Sequence, residues 1–201
     1  MTRDNAKNRT AQVKRRTNET DIEIVLCLDG EGASQVETGV GFFDHMLTHV
    51  ARHGLFDLAV RATGDLHIDD HHTVEDVGIA LGQAFAQALG DRAGITRVGN
   101  IFVPMDEALV LCAIDISGRG FLGIDLQTPT PKLGGFTTEL VPEFFRALAM
   151  HAGWTVHLRQ VAGANTHHII EAAFKAFGRA AAQAVARDPR IKGIPSTKGV
   201  L

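Results

Sequence analysis

Apolar residues recur along this chain at two spacings, and each pattern is written twice. The segments from Glu19 to Gly30 and from Glu107 to Gly118 are rich in β-branched and aliphatic residues, keep the same distance from Glu to Gly and end in a glycine turn, which predicts a pair of equivalent strands. Short helical segments come next, His45 to Gly54 and Phe144 to Gly153, each closed by a glycine suited to a left-handed cap. A strand follows each of them, Phe56 to Ala62 and Thr155 to Val161. Last in each copy is a long run at helical spacing. One opens at His71, places Val74, Val77, Leu81, Ala84, Phe85 and Ala88 on one face and stops at Gly90; the other opens at His167, places Ile170, Ala173, Phe174, Phe177, Ala181 and Ala184 together and ends before Pro189.

The expected fold class is therefore α+β, with two similar β-β-α-β-α halves, each a sheet backed by helices. The first half spans residues 1–92. The second spans 93–201, its repeat closing near 187 and leaving a tail. No low-complexity linker separates the two, so they are expected to share one core.

With 201 residues, 45% hydrophobic and 21% charged, the chain can bury a full core. A formal charge of -3 and a pI near 6.3 give no general basic field, and Lys7, Arg9, Lys14, Arg15 and Arg16 form only a short basic start, so no nucleic-acid partner is expected. No apolar stretch reaches the roughly 18 residues of a spanning helix, and the polar opening from Thr2 to Gln12 lacks a signal-peptide core. The expectation is a soluble cytoplasmic protein with no membrane partner. Cys27 and Cys112 lie in strand-like runs without C-x-x-C spacing and read as buried free thiols.

Chemistry enters with the long helices. His71-His-Thr-Val-Glu75 and His167-His-Ile-Ile-Glu171 stand at the same place in both copies. Residues four apart on a helix lie about 40° apart around its axis and neighbours about 100°. His71 with Glu75, and His167 with Glu171, can each grip one ion, whereas His72 and His168 look elsewhere. A single histidine is more often a surface or core residue, but paired histidines with Glu at one offset in both copies point to metal. Imidazole and carboxylate donors without thiolate suit Mn²⁺, Fe²⁺, Co²⁺ or Zn²⁺, and spacing does not choose among them. Asp44-His45 opens a helix and makes His45 a further candidate. Its repeat partner region is Glu143-Phe144, which offers a carboxylate but no imidazole, and Glu143 reads equally as a first-turn helix residue. His49, His53, His67, His151 and His157 are surface or capping residues on the simplest reading, with His49 and His53 near enough to His45 to line a pocket.

Phe43-Asp-His-Met-Leu47, His53-Gly-Leu-Phe56, Gly64-Asp-Leu-His-Ile-Asp-Asp-His-His-Thr-Val-Glu-Asp76, His167-His-Ile-Ile-Glu-Ala172 with Phe174-Lys-Ala176, and Ile194-Pro-Ser-Thr-Lys-Gly199 together resemble the imidazoleglycerol-phosphate dehydratase family of histidine biosynthesis. The resemblance implies a lyase using two Mn²⁺ per subunit that removes water from imidazole glycerol phosphate to give imidazole acetol phosphate. It also implies self-association into a shell of about 24 subunits with sites between them. The family's ligands fall on His45, His71, His72, Glu75, His167, His168 and Glu171. One more falls on Glu143, where many relatives carry His. Proton transfer falls on Glu19, which without the family would read as an exposed turn residue, with Glu171 able to share the work. The substrate is expected to touch these groups together with His49 and His53. Its phosphate falls to Arg97, Arg119, Lys175, Ser196, Thr197 and Lys198. The competing readings are a metal-storage shell, against which Lys175 on the ligand face argues, and a metal-dependent hydrolase.

Overall fold

The computed structural model describes residues 9–201; Lys7 and the opening from Thr2 to residue 8 lie outside the described residues. The first half runs β1 (Thr10–Arg16), β2 (Thr20–Cys27), β3 (Ser34–Glu37), α1 (Gly41–Gly54), β4 (Asp57–Gly64) and α2 (His71–Leu89). The second runs β5 (Val98–Met105), β6 (Ala108–Asp115), β7 (Phe121–Asp125), a small hairpin of β8 (Lys132–Leu133) and β9 (Phe136–Thr137), then α3 (Leu140–Ala152), β10 (Thr155–Ala162) and α4 (Thr166–Val185). The two sheets have one topology, β1-β2-β4-β3 and β5-β6-β10-β7. In each, three strands are antiparallel and the last lies parallel to its neighbour.

That last strand corrects the expected β-β-α-β-α order: each half is β-β-β-α-β-α. β3 and β7 are edge strands with mostly exposed or half-buried side chains, so neither shows the apolar alternation that marks a half-buried strand. Both are required by the connection that follows, because α1 and α3 each serve as the helical crossover between two parallel strands. The short helices also start earlier than their apolar pattern indicates, at Gly41 and Leu140.

Each long helix covers the first two strands of its own sheet, α2 on β1 and β2, α4 on β5 and β6. The shorter helices cross between halves: α1 packs on α4, and α3 packs on α2. Glycines allow those crossings. A Cβ at Gly178 would stand 2.8 Å from the Val50 carbonyl oxygen and 3.1 Å from the Gly54 nitrogen, and one at Gly82 would stand 2.5 Å from the Leu148 oxygen and 3.0 Å from the Ala152 nitrogen. These equivalent contacts fix the register of the repeat, pairing Val50 with Leu148 and hence His45 with Glu143.

All twelve apolar residues expected on the long helices are buried, in one core drawn from both halves. Phe43 meets Phe144 edge-on at 5.2 Å, and Phe85 meets Trp154 at 4.8 Å, so aromatic contacts span the two copies. Each buried ring of this size contributes about 1.5–3 kcal/mol through burial. Cys112 is buried and its thiol is pushed up by that burial; Cys27 is only half-buried, because its side chain lies at the end of β2 on the sheet face away from the helices. No helix of the described residues is long and apolar enough to cross a membrane.

Candidate functional site

The crossing of α1 over α4 assembles a cluster around one carboxylate. Glu171 is 5% exposed. Its Oε2 lies 3.1 Å from His167 Nε2 and 3.4 Å from His45 Nε2, while its Oε1 lies 3.3 Å from His49 Nε2 and accepts from Lys175 Nζ at 2.5 Å. His45, His49 and His53 follow one another at helical spacing, and their rings form a continuous row with centroids 4.3 and 5.6 Å apart. Burial would raise the Glu171 carboxyl, but the Lys175 hydrogen bond and the adjacent His49 and His167 hold it down at about 2. Burial pushes His49 down to about 4 against the attraction of Glu171. A neutral imidazole beside an ionised carboxylate is the protonation state that a cation site needs. His45, His167 and Glu171 each offer a donor atom within 4.8 Å of the others. Two nitrogens and an oxygen without sulfur fit a divalent transition ion. His49 and His53 are therefore in the cluster wall and not on the bland surface.

The neighbouring histidines diverge as the helix geometry requires. His168 Nδ1 lies 2.7 Å from Glu107 Oε2, away from Glu171. Asn165 caps α4 and its side chain accepts from the backbone nitrogens of His167 and His168, so both ring directions are set by the first turn. At the start of α2, His71 Nε2 lies 3.6 Å from Glu75 Oε2, and His72 Nδ1 lies 3.0 Å from Asp65 Oδ2. Glu143 occupies the repeat position of His45 and is paired with Arg146 at 2.5 Å.

Glu19 sits in the β1–β2 turn, 3.9 Å from His72 Nδ1. Its backbone is held: the Thr17 hydroxyl accepts from the nitrogens of Glu19 and Thr20, and Thr20 Oγ1 donates to Asp76 Oδ2 at 2.5 Å. Arg15 Nη2 pairs with the same Asp76 at 2.8 Å. Asp76 thus bolts the Glu19 turn to α2. The sequence reading missed both Asp65 and Asp76, since the stretch from Gly64 to Asp76 holds several acids and helical periodicity only singles out Glu75.

The phosphate candidates are spread more widely within the chain. Lys175 belongs to the Glu171 cluster and also reaches Met105 Sδ at 3.4 Å. Arg97 is paired with Asp115 and donates to the Pro195 carbonyl at 2.9 Å, which ties down the tail immediately before Ser196, Thr197 and Lys198. The Arg119 guanidinium donates to the Ser117 carbonyl at 3.3 Å. Of the other histidines, His151 caps the Ala147 carbonyl and His157 packs on Phe121.

The family model described as imidazoleglycerol-phosphate dehydratase matches residues 38–181. An imidazoleglycerol-phosphate dehydratase of Desulforamulus reducens is 63% identical over 194 residues, covering 96% of this chain and 99% of that protein. One from Acetivibrio thermocellus is 60% identical, covering 96% and 100%. Among solved structures, the Staphylococcus aureus dehydratase aligns with TM-score 0.81 at 40% identity, over 89% of this chain and 99% of that one. The Pyrococcus furiosus enzyme in complex with (S)-C348 aligns with TM-score 0.82 at 39% identity, over 94% and 100%. The likeness to these proteins runs nearly end to end in sequence and, for the two solved structures, in fold, and the chain belongs to the imidazoleglycerol-phosphate dehydratase family.

Proposed function

We propose that this protein eliminates water from imidazole glycerol phosphate, giving imidazole acetol phosphate in histidine biosynthesis, with two Mn²⁺ per subunit. The observation that supports this most directly is the convergence of His45 and His167 on the buried Glu171 carboxylate. The remaining ligands in this reading are His71, His72, Glu75, Glu143 and His168. No single group of the chain collects all of these residues, which favours ligand sharing between subunits of a shell of about 24 copies. We place the boundary of the halves at 92/93, with the tail to residue 201 serving the phosphate, and the working protein in the cytoplasm.

The proton to be removed sits on the middle side-chain carbon, where no carbonyl makes it acidic. Bound Mn²⁺ supplies Lewis acidity at the imidazole nitrogens, which lets the ring act as the electron sink. Glu19 takes that proton as the hydroxyl on the ring-adjacent carbon departs with the ring N–H proton as water; it returns the proton to the ring-adjacent carbon as the enol becomes the ketone, and the enol O–H proton restores the ring N–H. Its half-exposed carboxylate on a fixed turn has the mobility and the anchored backbone this needs. Glu171 is committed to four neighbours and serves as ligand before base. His49 and His53 line the ring pocket. Lys175 keeps one of its three protons for phosphate, with Arg97, Arg119, Ser196, Thr197 and Lys198 completing that end.

Three measurements test this. The purified protein should convert a phosphorylated imidazole diol and lose activity on chelation; cleavage of a simple phosphate ester instead would point to a hydrolase, and ion uptake with no turnover to a store. Glu19→Gln should lower kcat about 10²-fold with KM nearly unchanged, and Lys198→Ala should mainly raise KM. Near-normal kcat in Glu19→Gln removes Glu19 from the proton step.

A further inference from the structure

The two halves treat one pair of residues differently. Glu19 and Glu107 hold the same place, immediately before β2 and β6, and His72 and His168 hold the same place on α2 and α4. In the second half the glutamate is fully engaged. Glu107 Oε1 accepts from the backbone nitrogens of Asn165 at 2.9 Å and Ala164 at 3.2 Å, while Oε2 takes His168 Nδ1 at 2.7 Å. In the first half the glutamate is not. Its side chain is 53% exposed and 3.9 Å from His72 Nδ1, beyond hydrogen-bond range.

The difference lies in a loop. Six residues, 65–70, separate Gly64 from His71, whereas three, 164–166, separate Gly163 from His167. The longer loop brings Asp65, whose two oxygens stand 3.0 and 3.2 Å from His72 Nδ1. A carboxylate only accepts, so a neutral imidazole facing it must carry its proton on Nδ1 and present Nε2 as the lone-pair donor.

We infer that Asp65 and Glu107 are positioning residues that fix the tautomer and aim of His72 and His168, and that Asp65, by taking this task in the first half, releases Glu19 for proton transfer. The inference deepens the proposed function and rests on His72 and His168 being ion ligands. Duplication by itself would give two equivalent glutamates. The three added residues divide their work, so one copy holds a histidine still and the other keeps a mobile carboxylate on the same turn.

Glu107→Gln separates positioning from loop structure. The amide oxygen stays on the two backbone donors, so the NH₂ faces His168 Nδ1, which must then accept; the ring proton moves to Nε2 and blocks it as a ligand. Mn²⁺ affinity of the assembled protein, read by chelator competition, should fall about 10–100-fold with the circular dichroism spectrum unchanged. Asp65→Ala should weaken Mn²⁺ less than Glu107→Gln does, because Glu19 becomes the nearest carboxylate to His72 and takes over its positioning, and for the same reason its kcat should stay low even at saturating Mn²⁺. Asp65→Asn can turn its oxygen toward Nδ1 and should restore both. A folded Glu107→Gln protein with parental Mn²⁺ affinity overturns the positioning role, provided His168→Ala loses the ion. If His168→Ala also keeps parental affinity, the ligand reading itself has failed. Parental kcat in Asp65→Ala at saturating Mn²⁺ overturns the release of Glu19. Should Glu107→Gln not fold, the two Asp65 variants decide the matter on a separate loop.

Discussion

Asp76 shows how a single side chain far down the sequence governs a turn it does not belong to. Its carboxylate, 7% exposed, accepts from Thr20 Oγ1 and Arg15 Nε and so joins α2 to both strands flanking Glu19. Asp76→Ala would leave a buried hydroxyl and a partly covered guanidinium without their acceptor, at a cost of about 1–3 kcal/mol. The expected outcome is a lower Tm together with a lower kcat, because the turn loses its anchor; a variant with reduced Tm but parental kcat would show that the turn holds its shape alone. Cys112 offers an independent check on the core. Its burial opposes formation of the thiolate, so iodoacetamide should label it only after denaturant is added, as read by mass spectrometry. Rapid labelling of native Cys112 would contradict the packing described. At this scale the sequence was legible where chemistry repeats. The two His-His-x-x-Glu runs stand out by their register, and the divergence of neighbouring histidines follows from helix geometry alone. Asp65 stayed hidden because nothing local distinguishes it from Asp69 and Asp70; only the path of the longer loop turns it toward His72.

The helix crossings are the elements that place the candidate site, and their glycines make separable predictions in the two halves. Alanine favours a helix by about 1 kcal/mol over glycine, but overpacking a closed contact costs about 1–3 kcal/mol. The Cβ distances of 2.8 Å at Gly178 and 2.5 Å at Gly82 put both sites on the overpacked side, so Gly178→Ala and Gly82→Ala should each lower stability in urea titrations. Only the first shifts α1 against α4, and it should also weaken binding of the ion proposed at His45, His167 and Glu171. Gly82→Ala weakening that same ion as strongly would mean that the crossing does not set the geometry. The long helices could be read directly from their apolar spacing, and all twelve positions picked from it are buried. β3 and β7 could not, since an edge strand with few buried side chains carries no period; their existence follows only from topology, which demands a parallel partner on the near side of each crossover helix.

At the scale of the whole molecule, ions bound between subunits would favour the assembled state by mass action. Stripping the metal should move the proposed shell of about 24 subunits toward a smaller unit in light scattering, and Mn²⁺ should restore size and turnover together. A metal-free particle of unchanged size would assign cohesion to apolar contacts instead. The doubling of the fold was visible in the sequence because both copies kept the Glu-to-Gly strand interval and the His-His-x-x-Glu runs, although the left-handed cap that Gly153 makes after α3 is made after α1 by Leu55 and not by the expected Gly54. The interleaving of the copies was not, since no local pattern states that α1 packs on α4 and α3 on α2 and not each on its own neighbour. That exchange has a consequence for descent. Swapping the halves maps one helix seam onto the other, so two copies of a chain half this length, related by a twofold axis, would reproduce both seams and the histidine–glutamate crossing with them. An ancestor of that length would have had to be a homodimer, with its histidine–glutamate crossing already at the junction between copies. Joining two such halves in one chain would make that dimer permanent and would let its two sides become different.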